Sequence, residues 1–428
     1  MLFFGKVLLN IILISTNHNL PQGVVKITMG ELVWFIGMQL AIATTSGFSR
    51  DDFWISDAER KKLWRTPPYN FNLLMSKPRF NLISKHLSFT MNSPPTYRDK
   101  FWRVREMIDE WNRNMAEVFN CSWVVCLDES MLLWLNMWTC PGWNFVLRKP
   151  WSMGNEYHSM CCGLSSIMFV IDLVEGRDRP KEAPSLDPQK NGPTVSLLLR
   201  MCQFLYTKGT VIILDSGFCV LKGIVELMKK GVYAGACVKK RRYWPKFVKG
   251  DAMDSRMKDD PVGTTRLVKG LMDNVEYYFF NLKEPDYTSK IMSTYGCLAE
   301  EGDETSRRIN GGSKTKHFRY TQVFNNHFAY RHVVDDHNNF RMMEPCIEKS
   351  WRTIKWENRV FAFVLTISEV NAWLAMRYFC DLNMKLLDFR INLACQLVYN
   401  PWLEKESAGL EKDDEVVNVK KERVVGSI

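Results

Sequence analysis

The sequence predicts an α/β fold, because it contains two kinds of hydrophobic pattern. Short apolar runs rich in β-branched residues, at 123–127, 167–171 and 210–214, are typical of strands that are covered on both faces. Between 104 and 118, apolar residues recur at three- and four-residue steps, which is typical of an amphipathic helix. Helical patterns of this type dominate the first 120 residues, so we expect a mainly helical region that leads into an α/β core.

The first helix is expected to start at a capping box. Thr28 and Glu31 have the spacing at which each side chain binds the other residue's backbone N–H, and an apolar run follows them. Ordered structure is therefore expected to begin near Ile27, with 1–26 as a poorly defined segment. Further along the chain the pattern predicts helices at 194–205 and 220–230 and a strand at 232–238.

The second half of the chain is expected to contain an insertion in the core. Residues 242–316 are basic, interrupted by glycines and without a helical period, although 275–281 and 290–295 have the composition of strands. Helical sequence resumes in 317–400, which we assign to the last helices of the core. The final segment, 401–428, is rich in charges and is expected to be a flexible tail.

The charge of the chain favours a polyanionic partner. There are 57 Lys and Arg against 47 Asp and Glu among 428 residues, a formal net charge of +10. Such a surface gains affinity for nucleic acid when phosphates are neutralised and counterions are released. The same charge also occurs in basic proteins that are merely soluble, so composition alone leaves both interpretations open.

Several other classes of protein are disfavoured. The 12 Cys contain no C-x-x-C pair, which argues against a zinc knuckle or a disulfide framework and predicts reduced, mostly buried thiols. The apolar run 360–376 is broken by polar residues, so we expect a buried helix and no membrane role. No Walker-type phosphate loop is present, and no nucleotide cofactor is expected.

Acidic residues follow two of the predicted strands. Asp128 comes after the run at 123–127 and Asp215 after the run at 210–214, and ligands of open α/β sheets bind beyond such strand ends. Asp335 is a third candidate, at the start of a predicted helical region. Three carboxylates on different elements suit two Mg²⁺ or Mn²⁺ ions, although a helix cap is the alternative for each acid singly. His332 and His337 flank Asp335, and we expect them at the surface or facing DNA.

The order of several motifs resembles that of the piggyBac transposases, from about Ile27 to Phe379. Two motifs precede the predicted core, namely I-T-M-G-E-L-V-W-F-I-G at 27–37 and S-K-P-R-F to H-L-S-F at 76–89. The others lie in the core, namely L-D-E-S-M around Asp128, L-D-S-G-F around Asp215, the strand and basic turn at 235–245, M-S-T-Y at 292–295 and V-D at 334–335.

The resemblance implies an RNase H-like catalytic core. It would consist of a helical dimerisation and DNA-binding region at 27–120, a first core part at 121–241, an insertion domain at 242–316 and the last catalytic helices in 317–400. Asp128, Asp215 and Asp335 would hold two Mg²⁺ or Mn²⁺ ions for DNA cleavage and strand transfer at TTAA targets. The implied partners are double-stranded DNA and a second copy of the chain, in the nucleus.

The resemblance also indicates how DNA is held and where this chain departs from the family. The basic turn would bind phosphates and stack on a base through Lys239, Lys240, Arg241, Arg242 and Trp244; a solvated turn is the alternative. Asn338 stands where the family has a fourth acid, and would be a neutral metal ligand. The family's cysteine-rich zinc module has no counterpart after Phe379. The alternative function is therefore a domesticated, catalytically impaired DNA-binding or chromatin-associated protein.

Overall fold

A nine-stranded mixed sheet organises the protein. The structure is a computed structural model, and it describes residues 2–92, 99–147, 152–175, 191–239 and 252–399. The strands of the sheet are β1 (Val124–Leu133), β2 (Trp143–Phe145), β3 (Met153–Cys162), β4 (Met168–Leu173), β5 (Val211–Leu214), β6 (Tyr233–Cys237), β7 (Thr265–Met272), β8 (Val275–Lys283) and β9 (Thr288–Ser293). They lie in the order β2-β3-β1-β5-β6-β9-β8-β7, and β4 also pairs with β3.

Helices lie before, between and after the strands of this sheet along the sequence. Before the sheet come α1 (Lys6–His18), α2 (Met29–Thr44), α3 (Asp57–Arg60), α4 (Lys77–His86) and α5 (Trp102–Val118). Between strands come α6 (Pro193–Met201), α7 (Leu221–Lys229) and α8 (Ala252–Arg256). After it come α9 (Gln322–Tyr330), α10 (Val333–Met342), α11 (Ile347–Ser350), α12 (Trp356–Phe379) and α13 (Leu386–Val398).

The centre of the sheet is parallel, and its strands are buried as the apolar runs indicated. β1 pairs in parallel with β5, and β5 pairs in parallel with β6, while β3 runs antiparallel to β1. The side chains of β5 are fully buried, as are nearly all of those of β1. The predicted α/β fold with a helical region before it is therefore confirmed.

The N-terminal segment is more ordered than the sequence indicated. The capping box at Thr28 is present, since its Oγ1 accepts from the N–H of Glu31 at 3.1 Å and Oε2 of Glu31 accepts from the N–H of Thr28 at 3.1 Å. Structure does not begin there, however, because α1 precedes it and buries Leu8 and Ile12 in the main core. Few polar residues mark the outer face of α1, and this is why its apolar run was not recognised as a packed helix.

The long apolar helix α12 is a core helix, and several of its polar side chains bind neighbouring elements. The side chain of Asn371 donates to the carbonyl of Met168 at 2.6 Å and accepts from its N–H at 2.9 Å. Trp111 donates to Oγ of Ser368 at 2.9 Å. Among the described helices, α12 is long and apolar enough to span a bilayer, but 78% of its most apolar stretch is buried inside the protein. Its polar residues thus lock the helix onto the sheet.

The strands of the expected insertion extend the central sheet. The predicted strands at 275–281 and 290–295 correspond to β8 and β9, and β9 pairs antiparallel with β6. The boundaries of an insertion domain stay a prediction. A second, two-stranded sheet, which the sequence did not predict, follows as β10 (Glu304–Ile309) and β11 (Lys314–Arg319). None of the twelve Cys forms a disulfide, and seven of them are buried.

Candidate carboxylate site

Asp128 lies within β1, not at its end. The sequence placed this acid where a strand emerges, but β1 continues to Leu133 because it remains paired with β3 after the partner β5 has ended. Asp128 is only 9% exposed, and its Oδ1 accepts from the N–H of Glu129 at 2.7 Å. The carboxylate is therefore held at the point where the parallel pairing between β1 and β5 stops.

Asp215 follows β5, the strand next to β1, and stands beside Asp128. The last parallel pair is Leu127 with Leu214, and each acid is the next residue of its chain. Registered neighbours on parallel strands direct their side chains to the same face, so this register brings the two carboxylates to one edge. The predicted proximity of Asp128 and Asp215 thus follows from the strand register.

Asp215 is paired with a cation from the adjacent strand. Lys239 lies two residues after the end of β6, and its Nζ atom is 3.3 Å from Oδ1 of Asp215. The hydroxyl of Ser216 is also within reach, at 3.5 Å from Oδ2. The side chains of Lys239 and Asp215 are 63% and 26% exposed, so water screens this ion pair and it is weak. A positive charge nevertheless lies at the edge where the metal ions were predicted.

Asp335 belongs to the first turn of α10, and the chain is attached to β1 at two points, once just before this helix and once near its end. Sγ of Cys126 contacts the carbonyl oxygen of Arg331 at 3.6 Å, and Arg341 donates to the carbonyl of Met131 at 2.9 Å. Asp335 comes four residues after Arg331, roughly 6 Å at the helical rise of 1.5 Å per residue. Asp128 comes two residues after Cys126, roughly 7 Å along β1. The two acids therefore lie at about the same level.

Asn338, the predicted fourth ligand, is engaged by a neighbour on its own helix. Its side-chain oxygen accepts from Nε and Nη2 of Arg341 at 3.4 and 3.3 Å. Arg341 is buried and also forms an ion pair with Glu348 of α11. Ligation of a metal by Asn338 would compete with this guanidinium, and it stays a prediction.

The carboxylates share one edge without forming a closed ligand shell. In the part of the chain that the structure describes, no three His, Cys, Asp or Glu side chains are grouped closely enough to hold a metal ion. The donors are nonetheless carboxylate oxygens, which are the ligands that Mg²⁺ and Mn²⁺ prefer. Donor chemistry fits these ions, and their binding would need the three side chains to draw together.

Of the predicted DNA-binding turn, only Lys239 can be placed. Lys240, Arg241, Arg242 and Trp244 lie outside the described residues. Lys239 is exposed at the same edge as Asp215, so a phosphate that it binds would be close to the carboxylates. DNA binding by this turn stays a prediction.

Two residues of α9 and its end were missed by the sequence analysis. His327 is buried, and its pKa falls to about 4 because of burial and the positive charge of Arg331, while Asp215 opposes the shift. Arg331 follows α9 directly and is exposed, with its guanidinium 5.0 Å from the ring of Phe328. The pKa of His327 thus responds to both the positive charge of Arg331 and the negative charge of Asp215. No local motif marks them, since their role depends on where α9 packs.

His337 is buried, contrary to the expectation of a surface or DNA-facing residue. Its Nδ1 lies 3.1 Å from the carbonyl oxygen of Ser166, at the turn between β3 and β4. Burial lowers the pKa of His337 to about 3, although the hydrogen bond to Ser166 opposes the shift. Successive residues of a helix point in different directions, so His337 faces the sheet while the neighbouring Asp336 is exposed. His332 is exposed, as expected.

The stability of the fold should fall in acid because of His337. The unfolded chain takes up a proton on His337 near pH 6.5, whereas the folded chain does so only near pH 3. The contribution of neutral His337 to stability is therefore fully present above pH 6.5 and is lost as the pH falls towards 3. The expected slope is about 1.4 kcal/mol per pH unit. Urea unfolding of His337→Gln should lack this part of the slope, whereas the variant of exposed His18, His18→Gln, should retain it. Equal slopes in both variants would contradict the assignment.

Comparison with known proteins identifies the family. A family model described as Transposase IS4 matches residues 1–373. The chain belongs to this transposase family. PiggyBac transposable element-derived protein 2 of Homo sapiens is 24% identical over 417 residues, covering 92% of this chain and 64% of that protein. The chain therefore spans less than two thirds of the length of this relative.

A solved transposase shares the fold. The cryo-EM structure of the piggyBac transposase synaptic complex with hairpin DNA matches with a TM-score of 0.66 and 17% sequence identity. The match covers 96% of this chain and 81% of that one. The resemblance to piggyBac-type transposases and the RNase H-like fold class are thereby confirmed for this transposase-family chain.

Proposed function

We propose that this chain is the core of a piggyBac-type DNA transposase that cleaves DNA and transfers strands at TTAA targets with the help of two divalent metal ions. The observation that carries the proposal is the arrangement of Asp128, Asp215 and Asp335. The strand register of Asp128 and Asp215 supports a shared site, and the contacts of Arg331 and Arg341 with β1 on either side of Asp335 support a place for it near them. Membership of a transposase family makes DNA the substrate class that fits this arrangement.

The three carboxylates are proposed to hold two Mg²⁺ or Mn²⁺ ions. Such ions, when bound, supply Lewis acidity at the reacting phosphate and at the attacking and leaving oxygens. The chain's own contribution is to fix the donors on rigid elements, a strand, a strand end and a helix. Lys239 lies beside Asp215 and offsets part of the negative charge of the carboxylates at this edge.

Double-stranded DNA is the proposed partner, and Lys239 is the described residue that would bring a phosphate to the carboxylates. The similar solved structure contains hairpin DNA in a synaptic complex, which supports DNA binding for this chain. A homodimer and a nuclear location are proposed on the same family basis. The basic turn with Lys240, Arg241, Arg242 and Trp244 would continue the contact along the phosphate backbone.

The proposal is tested by nicking of labelled duplex DNA that carries TTAA-flanked ends, with and without Mg²⁺ or Mn²⁺. Asp128→Ala should abolish the metal-dependent product because it removes a donor at the centre of the edge. The matched variant Asp388→Asn removes an exposed acid in the first turn of α13 and should nick like the parent. If Asp128→Ala nicks as fast as Asp388→Asn, the proposed catalytic site is wrong.

One observation favours a second candidate function, that of a domesticated DNA-binding protein with impaired catalysis. The oxygen of Asn338 is bound by Arg341, so the residue that replaces the family's fourth acid takes part in a structural network. The human relative is likewise named as a transposable element-derived protein. Metal-independent, salt-sensitive DNA binding without any nicking by the parent chain would select this candidate.

A further inference from the structure

A basic two-stranded ribbon, formed by β10 and β11, projects from the fold. Each strand has six residues, about 20 Å at 3.4 Å per residue. The strands are joined at Asn310-Gly311-Gly312, where all three residues have positive φ. The outer half of the ribbon, 308–316, is exposed apart from the partly buried Ile309, so it contributes almost nothing to a hydrophobic core.

The base of the ribbon is fixed to the body of the protein. Arg307 donates to both carboxylate oxygens of Glu284, at 2.6 and 3.1 Å, and to the hydroxyl of Tyr320 at 2.6 Å. Glu284 is only 2% exposed, so this is an anchored ion pair, and the hydrogen bond to Glu284 raises the pKa of Arg307 although burial opposes the shift. The ring of Phe318 packs so closely on Gly263 that a Cβ there would be 2.5 Å from it. The outer half is thus carried by a rigid base.

The outer half carries positive charge that the fold does not compensate. It contains Arg308, Lys314 and Lys316 and no acidic residue. Among the described residues these three side chains have no carboxylate partner, whereas Arg307 at the base has one. Lys316 is also directly opposite Arg307 in the register, and like charges opposite each other destabilise a strand pair. This arrangement is unfavourable for the isolated chain and favourable once a polyanion is bound.

We propose that the outer half of the ribbon is a DNA-binding arm, separate from the basic turn at Lys239, which binds phosphates along one groove of a DNA duplex. This inference rests on the proposed function, since it takes duplex DNA as the partner. The major groove, about 12 Å wide, admits a two-stranded ribbon. A tip made of Asn310 and two glycines is narrow enough for close approach, and cations on both strands would reach both sides of the groove.

The arm is joined to the carboxylate edge through α9. The N–H of Asp303 donates to the side chain of Asn325 at 2.9 Å, and the rings of Tyr320 and Phe328 are 5.0 Å apart. α9 in turn packs against β1, which carries Asp128, and against β5, which leads into Asp215. DNA bound by the arm would therefore have a fixed position relative to Asp215, because no flexible linker separates the two sites.

The test uses the full chain and a DNA duplex, with binding measured by fluorescence anisotropy at several KCl concentrations. The ribbon variant combines Arg308→Gln, Lys314→Gln and Lys316→Gln. The control variant, with the same loss of charge at exposed positions outside the predicted DNA-binding region, combines Lys6→Gln, Lys208→Gln and Lys385→Gln. Each lost phosphate contact should lower the slope of log K against log salt by about 0.9, so the ribbon variant should lose about 2.7 and the control close to nothing.

A charge-retaining variant separates phosphate binding from an effect on folding. Lys314→Arg with Lys316→Arg keeps the positive charges and should keep the parent slope, and all variants should unfold at the parent temperature because the outer half is not part of the core. Equal slopes for the ribbon and control variants would overturn the arm while leaving DNA binding, and the proposed function, in place. Failure of the parent chain to bind duplex DNA would overturn both.

Discussion

Asp215→Asn is expected to slow metal-dependent nicking by at least roughly 10³-fold and to leave DNA affinity unchanged or slightly increased. The carboxylate stands at the last parallel pair of β1 and β5, next to Asp128, so an amide there removes a charged donor from the centre of the edge. A loss of several kcal/mol of transition-state stabilisation corresponds to a factor of this size. DNA affinity does not fall, because the variant removes a negative charge and frees Lys239 for phosphate.

Single-turnover nicking and anisotropy of the same protein preparations measure the two effects separately. Asp388→Asn is again the suitable control, since it makes the same chemical change at an exposed position. Any residual nicking by Asp215→Asn should need a higher Mn²⁺ concentration, because the amide removes a negative charge from the metal site. Nicking within a few fold of the parent would mean that Asp215 is not a metal ligand and that the proposed site is wrong.

Arg341→Met is expected to destabilise the protein by about 3–5 kcal/mol, because it leaves the buried carboxylate of Glu348 without its partner. Arg341 is 1% exposed, and it also donates to Met131 of β1. The variant therefore removes one of the two attachments that hold α10, and with it Asp335, over β1. Nicking should fall even at temperatures where the variant is folded.

Urea unfolding and a nicking assay at a low temperature test this prediction together. The double variant Arg341→Met, Glu348→Leu replaces the ion pair by two apolar side chains and should recover much of the stability. It should not recover nicking, because the bond to Met131 is still absent. Recovery of both properties would show that the attachment to β1 has no role in placing Asp335.

The parts of the fold that depend on local pattern were predictable. The buried strands β1, β4 and β5 have continuous apolar runs, and α5 has a helical period. Each of these elements can therefore be predicted from its own segment of the sequence. The proximity of Asp128 and Asp215 was predictable for the same reason, since strand ends of a parallel sheet meet at one edge. The proximity of these two acids therefore followed from short segments, although the place of Asp128 within β1 did not.

The remaining features depend on contacts between distant segments. The continuation of β1 beyond Asp128 requires β3 as a partner, and no residue of β1 indicates how far β3 extends. The burial of His337 requires the turn at Ser166, and the hydrogen bonds of Asn338 require Arg341 in a particular rotamer. The ribbon was missed because its strands are mostly exposed and contain mainly polar residues, so their sequence shows no alternation of apolar and polar residues.

The attachment of α10 to β1 also has a consequence for synthesis on the ribosome. Met131 and Arg341 are separated by 210 residues. At about 5–20 residues per second, β1 waits roughly 10–40 s for the helix that covers its face. During this interval an apolar side of the nascent sheet is open to chaperones and to other nascent chains. A product released before α10 would keep that side uncovered, and we expect it to aggregate or be degraded instead of persisting as a smaller folded protein.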